Sequence, residues 1–194
     1  MKSKILTFAL LVSSLISFGQ VEKNSKDRSR FGVRGGVNYS NIIYGGDADF
    51  KPKVGFNIGG TYNVVSSKKF TLPWELLYSK IGSTEGDVDF DISMININSM
   101  ANYYLNKNVY LEGGIPFSVF LSAKTFNNKT NKEYDFMEET TAGLDVGLAV
   151  GVGYEFTNRM LVNLRYSYGF LPVFISDDNS SHLSNLSLNI GYSF

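Results

Sequence analysis

The sequence predicts an all-β fold: an eight-stranded antiparallel transmembrane β-barrel with short periplasmic turns and long extracellular loops. Three observations carry the prediction. Apolar and polar residues alternate with a period of two in eight separate stretches. Each stretch runs about 9–13 residues, where a tilted bilayer-crossing strand needs about 9–11. The connections alternate between short and long along the chain, as they do in outer-membrane barrels.

Composition narrows the alternatives. The 194-residue chain balances 18 Lys+Arg against 18 Asp+Glu, which gives no electrostatic case for nucleic acid. It has no cysteine, so disulfide frameworks, thiolate metal sites, cysteine nucleophiles and a lipid anchor on an N-terminal Cys are all excluded. One histidine, His182, leaves no two-histidine chemistry. A mean hydropathy of −0.06 sits oddly beside 14% aromatic residues and 19 glycines. An apolar face and a polar face that cancel in the average would produce that combination.

The chain opens with Lys2 and Lys4, an apolar stretch from Ile5 to Ile16, and the small residues Ser17 and Gly19. This is the pattern of a secretory signal peptide, too short to cross a bilayer as a helix. The expected organisation is a cleaved signal peptide at 1–19, a periplasmic segment at 20–30 and a barrel at 31–194.

The alternation runs through eight strands in turn. In 31–40, Phe31, Val33, Val37 and Tyr39 share one parity, with Arg34, Asn38 and Ser40 opposite. In 54–64, Val54, Phe56, Ile58 and Tyr62 oppose glycines and Asn57. In 70–79, Phe70, Leu72, Trp74, Leu76 and Tyr78 oppose Thr71, Pro73, Glu75 and Ser79. In 95–105 the pattern is the least regular, because Ser99 and Met100 fall on the wrong sides. From Val109 to Ser122, Leu111, Ile115 and Phe117 oppose Glu112, Gly114 and Ser118. In 144–156, Leu144, Val146, Leu148 and Val150 oppose Asp145, Gly147, Gly151 and Glu155. In 160–170, Val162, Leu164 and Tyr166 oppose Asn163, Arg165 and Ser167. In 185–194, Leu186, Leu188, Ile190, Tyr192 and Phe194 oppose Ser187, Asn189 and Gly191. Segments 65–69, 106–108 and 157–159 are the tight turns, and 41–52, 80–92, 123–139 and 171–183 the long polar loops. An even strand number brings both termini to the short-turn side, as export requires.

Alternation does not say which parity faces out, and a lipocalin-like barrel would turn it inward. Three features choose outward, one of them the closing aromatic strand that ends at Phe194. The polar parity carries Arg34, Glu75, Glu112, Asp145, Glu155 and Arg165 among glycines that leave room for them, and buried charges persist where they pair. The expectation is a structural interior network of these six. Apolar-parity aromatics also gather at strand ends: Tyr62, Phe70, Tyr103, Tyr154, Phe156 and Tyr192 by the short turns, Tyr39, Tyr78, Tyr166 and Tyr168 by the long loops. These are two interfacial girdles. An eight-stranded bore is only wide enough for side chains, so solute conduction is not expected.

Several stretches resemble the outer-membrane β-barrel family of Bacteroidetes-type bacteria, the PorT-like or "porin family" group. They are Phe18-Gly19-Gln20, FGVRGGVNYSNI at 31–42, WELLYSKIG at 74–82 and LSLNIGYSF at 186–194. Members commonly carry an Ile-Pro pair in the fourth strand, where this chain has Ile97-Asn98. The closing aromatic strand, with Tyr192 and Phe194, resembles the signal read by the barrel-assembly machinery. The resemblance implies an outer-membrane location, contact with outer-membrane lipid and lipopolysaccharide, and for some members a part in type IX protein secretion alongside other envelope proteins. It implies no activity.

Three other features carry weaker signals. His182, with Asp177, Asp178, Ser180, Ser181 and Ser184 nearby, suggests general-base chemistry, but the DDNSSH tract has the composition of a loop. Loop 123–139, with Phe126, Tyr134 and Phe136, is either a partner-binding loop or a solvated one. Asp47, Asp49, Asp87, Asp89 and Asp91 lack calcium-loop spacing. The sequence therefore predicts a non-enzymatic structural or surface-interaction barrel with no catalytic residue, metal or cofactor.

Overall fold

The computed structural model describes residues 31–45, 49–67, 69–135, 143–173, 175–176 and 179–194. The signal peptide and the segment 20–30 lie outside them, as do Asp47, Phe136, Asp177 and Asp178. Among the described residues ten strands follow one another: β1 Phe31–Tyr44, β2 Lys51–Ser66, β3 Phe70–Glu85, β4 Val88–Tyr104, β5 Val109–Asn127, β6 Lys132–Asp135, β7 Leu144–Glu155, β8 Met160–Gly169, β9 Ile175–Ser176 and β10 Asn179–Ser193. Eight of them form the barrel, each antiparallel to its neighbours in the order β1-β2-β3-β4-β5-β7-β8-β10, and β10 pairs back onto β1. The short β6 and β9 are hairpin additions to β5 and β10.

Closure fixes the dimensions. Following paired residues around the barrel, Tyr154 leads through Val162, Ile190, Gly35, Ile58, Tyr78, Ile95 and Val119 to Leu144. The circuit returns to β7 ten residues from its start. Eight strands with this stagger tilt by roughly 40–45° and leave a bore that side chains fill.

The apolar parity faces outward, as expected. Val37, Ile58, Leu76, Leu111, Val150, Leu188 and their like are exposed, while Arg34, Asn57, Glu75, Asn98, Glu112, Asn163, Arg165 and Asn189 are buried. The irregular fourth strand resolves in the same sense: Met100 lies inside and Ser99 outside. Aromatic rings cluster at the lower rim, where Phe31 and Tyr62 pack tilted and Tyr154 and Phe156 edge to face, with centroids 4.9 and 4.8 Å apart.

All four expected long loops are largely strand where they are described, with β10 beginning as early as Asn179. β3 and β4 run on to Glu85 and Val88, joined by Gly86 (φ 57°) and Asp87. β5 runs to Asn127 and folds back through β6, and β1 reaches Tyr44 while β2 begins at Lys51. In these extensions the polarity of the pleat inverts. Ile42, Ile81, Ile92, Met94, Phe120, Ala123 and Leu183 point inward with Val173 as a buried cluster, against which Phe50 and Phe90 pack. Lys80 and Lys124 are exposed on the outer wall. Above the outer girdle the solvent outside is water, so the apolar face has to turn in. A bulge on β5, where Met94 pairs with Phe120 while Ser93 pairs with Ser122, helps re-aim the strand.

The narrow bore sets a test. A Cβ on inward-facing Gly59 would run into the backbone of β3, 2.8 Å from the Leu77 Cα, while one on outward-facing Gly60 finds nothing nearer than the Gly32 carbonyl at 3.9 Å. Gly59→Val should lower the unfolding free energy by about 2 kcal/mol or more, with Gly60→Val within about 0.5 kcal/mol of the parent. Urea titration of the barrel in vesicles, read by heat-modifiable gel migration, measures both.

Candidate functional site

The centre of the bore is an ion-pair cluster built from four strands. Arg34 on β1 is flanked across its ladders by Gly59 and Gly191, and Arg165 on β8 by Gly151 and Ser187. Missing side chains beside the two guanidinium groups give them the width they need. Arg165 reaches across the barrel and grips Glu75 of β3 with both ends of its fork, Nη1 to Oε2 at 2.6 Å and Nη2 to Oε1 at 2.9 Å. Its Nε donates to Glu112 Oε1 of β5 at 2.8 Å, and Nη2 to Oε2 at 3.1 Å. Arg34 Nη1 pairs with Glu75 Oε1, the oxygen that also accepts Arg165 Nη2. Asn98 donates to Glu75 at 2.9 Å and Asn163 to Glu112 at 2.7 Å.

Two positive and two negative charges thus cancel, with the carboxylates fully covered and the arginine side chains at most 7% exposed. Buried charges without this mutual pairing would carry a desolvation cost of several kcal/mol each. The bidentate forks and the asparagine donors supply the directed hydrogen bonds that buried carboxylates require.

The two remaining acids expected in this network stand apart from it. Glu155, at the periplasmic end, accepts the Tyr104 hydroxyl at 2.6 Å. Asp145, at the outer end, accepts the Leu171 amide at 3.2 Å. Alternation identified their facing but not their depth, and the strand tilt separates them from the arginines. Three cavities of about 50 Å³ each punctuate the bore, one below the cluster, one beside it and one near Asp145. Their walls carry unpartnered acceptor oxygens, including Oδ1 of Asn57, Asn98, Asn185 and Asn189. Sites of this size and polarity suit water.

Beyond the outer girdle the extended hairpins are braced to one another. Lys129 of the β5–β6 turn bridges to Asp87 of the β3–β4 turn at 2.5 Å, and Lys53 of β2 holds Asp89 at 3.2 Å and Asp91 at 3.0 Å. Lys124 pairs with Glu133 across β5 and β6. The Thr84 hydroxyl, 2.8 Å away, holds the Asp89 carboxyl below its ordinary range, with help from Lys53. Hydrogen bonding to Glu133 and Asp87 raises Lys124 and Lys129. Of the candidate catalytic group, His182 Nε2 lies 3.1 Å from Ser180 Oγ and its ring stacks on Tyr168, while Ser181 is buried and Ser184 bonds to the Asn41 carbonyl. Among the described residues no group of His, Asp and Glu is placed to hold a metal ion.

With this geometry in view, comparison with known proteins is informative about fold. Residues 18–174 match the family described as outer membrane protein beta-barrel domain. Neisserial surface protein A superposes with a TM-score of 0.62 at 14% identity, over 84% of this chain and 97% of that one. Ail, the attachment invasion locus protein of Yersinia pestis, gives 0.54 at 18% identity in its complex with the heparin analogue sucrose octasulfate, and 0.54 at 17% identity alone. Each covers 87% of this chain and all of Ail. No curated protein matches the chain.

The cluster predicts a graded response. Glu75→Gln leaves two arginines facing one carboxylate and should cost about 3–5 kcal/mol of barrel stability. Adding Arg34→Met restores the charge balance and should recover much of that loss, as urea unfolding of both variants will show. On the outer hairpin, the depressed Asp89 carboxyl stabilises the fold above the unfolded aspartate range, and that contribution fades as pH falls through the lower folded value. An NMR titration should find Asp89 below the ordinary aspartate range, and Thr84→Val should move it back up.

Proposed function

Because this chain belongs to the outer membrane protein beta-barrel domain family, we propose that it is a small barrel whose work is done by its outer surface, with no solute passage and no catalysis. One observation carries the reading: the Arg34–Glu75–Arg165–Glu112 cluster spans the bore and is closed to solvent. A lumen filled in this way acts as a rigid strut. The braced hairpins above it form a preorganised surface, which lowers the ordering cost of binding a partner. Its surroundings are outer-membrane lipid and lipopolysaccharide, matched by the exposed apolar belt, and the exposed Tyr192 and Phe194 suit recognition by the barrel-assembly machinery.

The likeness of 31–42, 74–82 and 186–194 to PorT-like barrels favours a second reading, an accessory component of a secretion or envelope-assembly complex. Unchanged export of proteins in a deletion strain would dismiss it. The principal reading is tested in planar bilayers. The purified barrel should give no stable current steps, and uniform, long-lived single-channel openings would overturn it.

A further inference from the structure

The outer end of the bore is packed differently from the centre, around an apolar cluster. Residues 170–173, between β8 and β9, bring Val173 into the apolar cluster, where it is 1% exposed. Hydrogen bonds fix this segment to the strands on either side. The Phe170 amide donates to the Val146 carbonyl at 2.8 Å, Leu171 to the Asp145 carboxylate at 3.2 Å, and Val173 to the Ser181 carbonyl at 2.8 Å. Asp145 is buried, takes part in none of the described ion pairs, and fits only because Gly169 has no side chain: a Cβ there would strike its carboxylate. Its carboxylate is served by backbone amides, that of Leu171 and that of its own neighbour Val146, and of the two only the Leu171 amide ties it to the 170–173 segment. Beneath lies one of the 50 Å³ cavities, walled by Ser118, Asp145, Ser167 and Asn185 and roofed by Ile81 and Leu183 of the cluster. The unpartnered Asn185 Oδ1 calls for a hydrogen-bond donor, which water supplies.

We propose that residues 170–173 are a stopper over a water-holding outer chamber, with Asp145 as the positioning residue that latches it through the Leu171 amide. The proposal rests on the closed-lumen reading and adds to it the element that closes the outer end. Displacement of Val173 would open the chamber to small water-soluble molecules from outside, with the ion-pair cluster still blocking the way below.

The absence of native cysteine allows a direct test. Ser118→Cys places a near-isosteric thiol in the chamber wall, and its reaction with a small neutral methanethiosulfonate is timed in folded barrels in lipid nanodiscs. The parent Ser118→Cys protein should react slowly. Adding Val173→Asp or Asp145→Ala should speed labelling at least tenfold, whereas Asp145→Asn, which keeps an acceptor for the Leu171 amide, should stay as slow as the parent. Heat-modifiable migration identifies folded protein, and Val173→Ser replaces Val173→Asp if the latter does not fold. Fast labelling of the parent, or no acceleration by either Val173 variant, overturns the stopper; equal acceleration by Asp145→Asn and Asp145→Ala overturns the latch. A closed parent with an unresponsive chamber defeats this proposal alone, while bilayer currents from the parent defeat the reading beneath it.

Discussion

Within hydrocarbon no water is available to bond a free amide or carbonyl, so a sheet can enter a membrane only if it closes on itself. The pairing of β10 with β1 meets that demand, and the remaining features follow from it. Eight strands with a ten-residue stagger leave a lumen one layer of side chains wide. Anything polar placed there is dehydrated, and anything large needs a vacancy beside it. Glycines at 59, 151 and 191 stand across from the two arginines for this reason, and each arginine is matched to a carboxylate because an unmatched one would be too costly. Closure, narrowness, glycine content and charge pairing form one chain of cause.

Within the membrane belt, the strands, their facing and the closed all-β architecture could be read from the sequence, because lipid outside and a confined polar lumen inside impose opposite demands on successive residues. Arg34, Glu75, Glu112 and Arg165 were legible as inward-facing by the same rule. Their grouping was not. Register between strands decides which inward residues share a level, and parity carries no information about register. Glu155 and Asp145 show the limit: both face inward, yet the first meets Tyr104 and the second a backbone amide.

The outer cluster escaped sequence reading for another reason. Residues 80–92 do alternate, with Ile81 and Ser83 on one face of β3 and Phe90 and Ile92 on one face of β4, but the apolar residues sit on the inward parity. A search for a single continuous apolar parity registers this as noise and assigns a loop. Composition points the same way, since the outward residues there are Lys80, Gly82, Thr84, Asp89 and Asp91, of the types that loops favour. The reversal of the pleat is itself the signal, and it marks where the protein leaves the bilayer: Tyr39 and Tyr78 lie just below it, Ile42 and Ile81 just above.

Two consecutive solvents therefore explain the near-zero mean hydropathy better than two faces alone. In the membrane the barrel is apolar outside and polar within; above it the same strands are polar outside and apolar within. The two arrangements are stable for different reasons. The lower one depends on ion pairing in a confined space and tolerates small hydrated gaps, as its cavities and unpartnered asparagine oxygens indicate. The upper one depends on exclusion of water from Ile42, Ile92, Phe120 and Val173, and has the packing of a small soluble core. A barrel assembled from both carries its outer hairpins on an apolar core of their own, set above the ion-paired lumen.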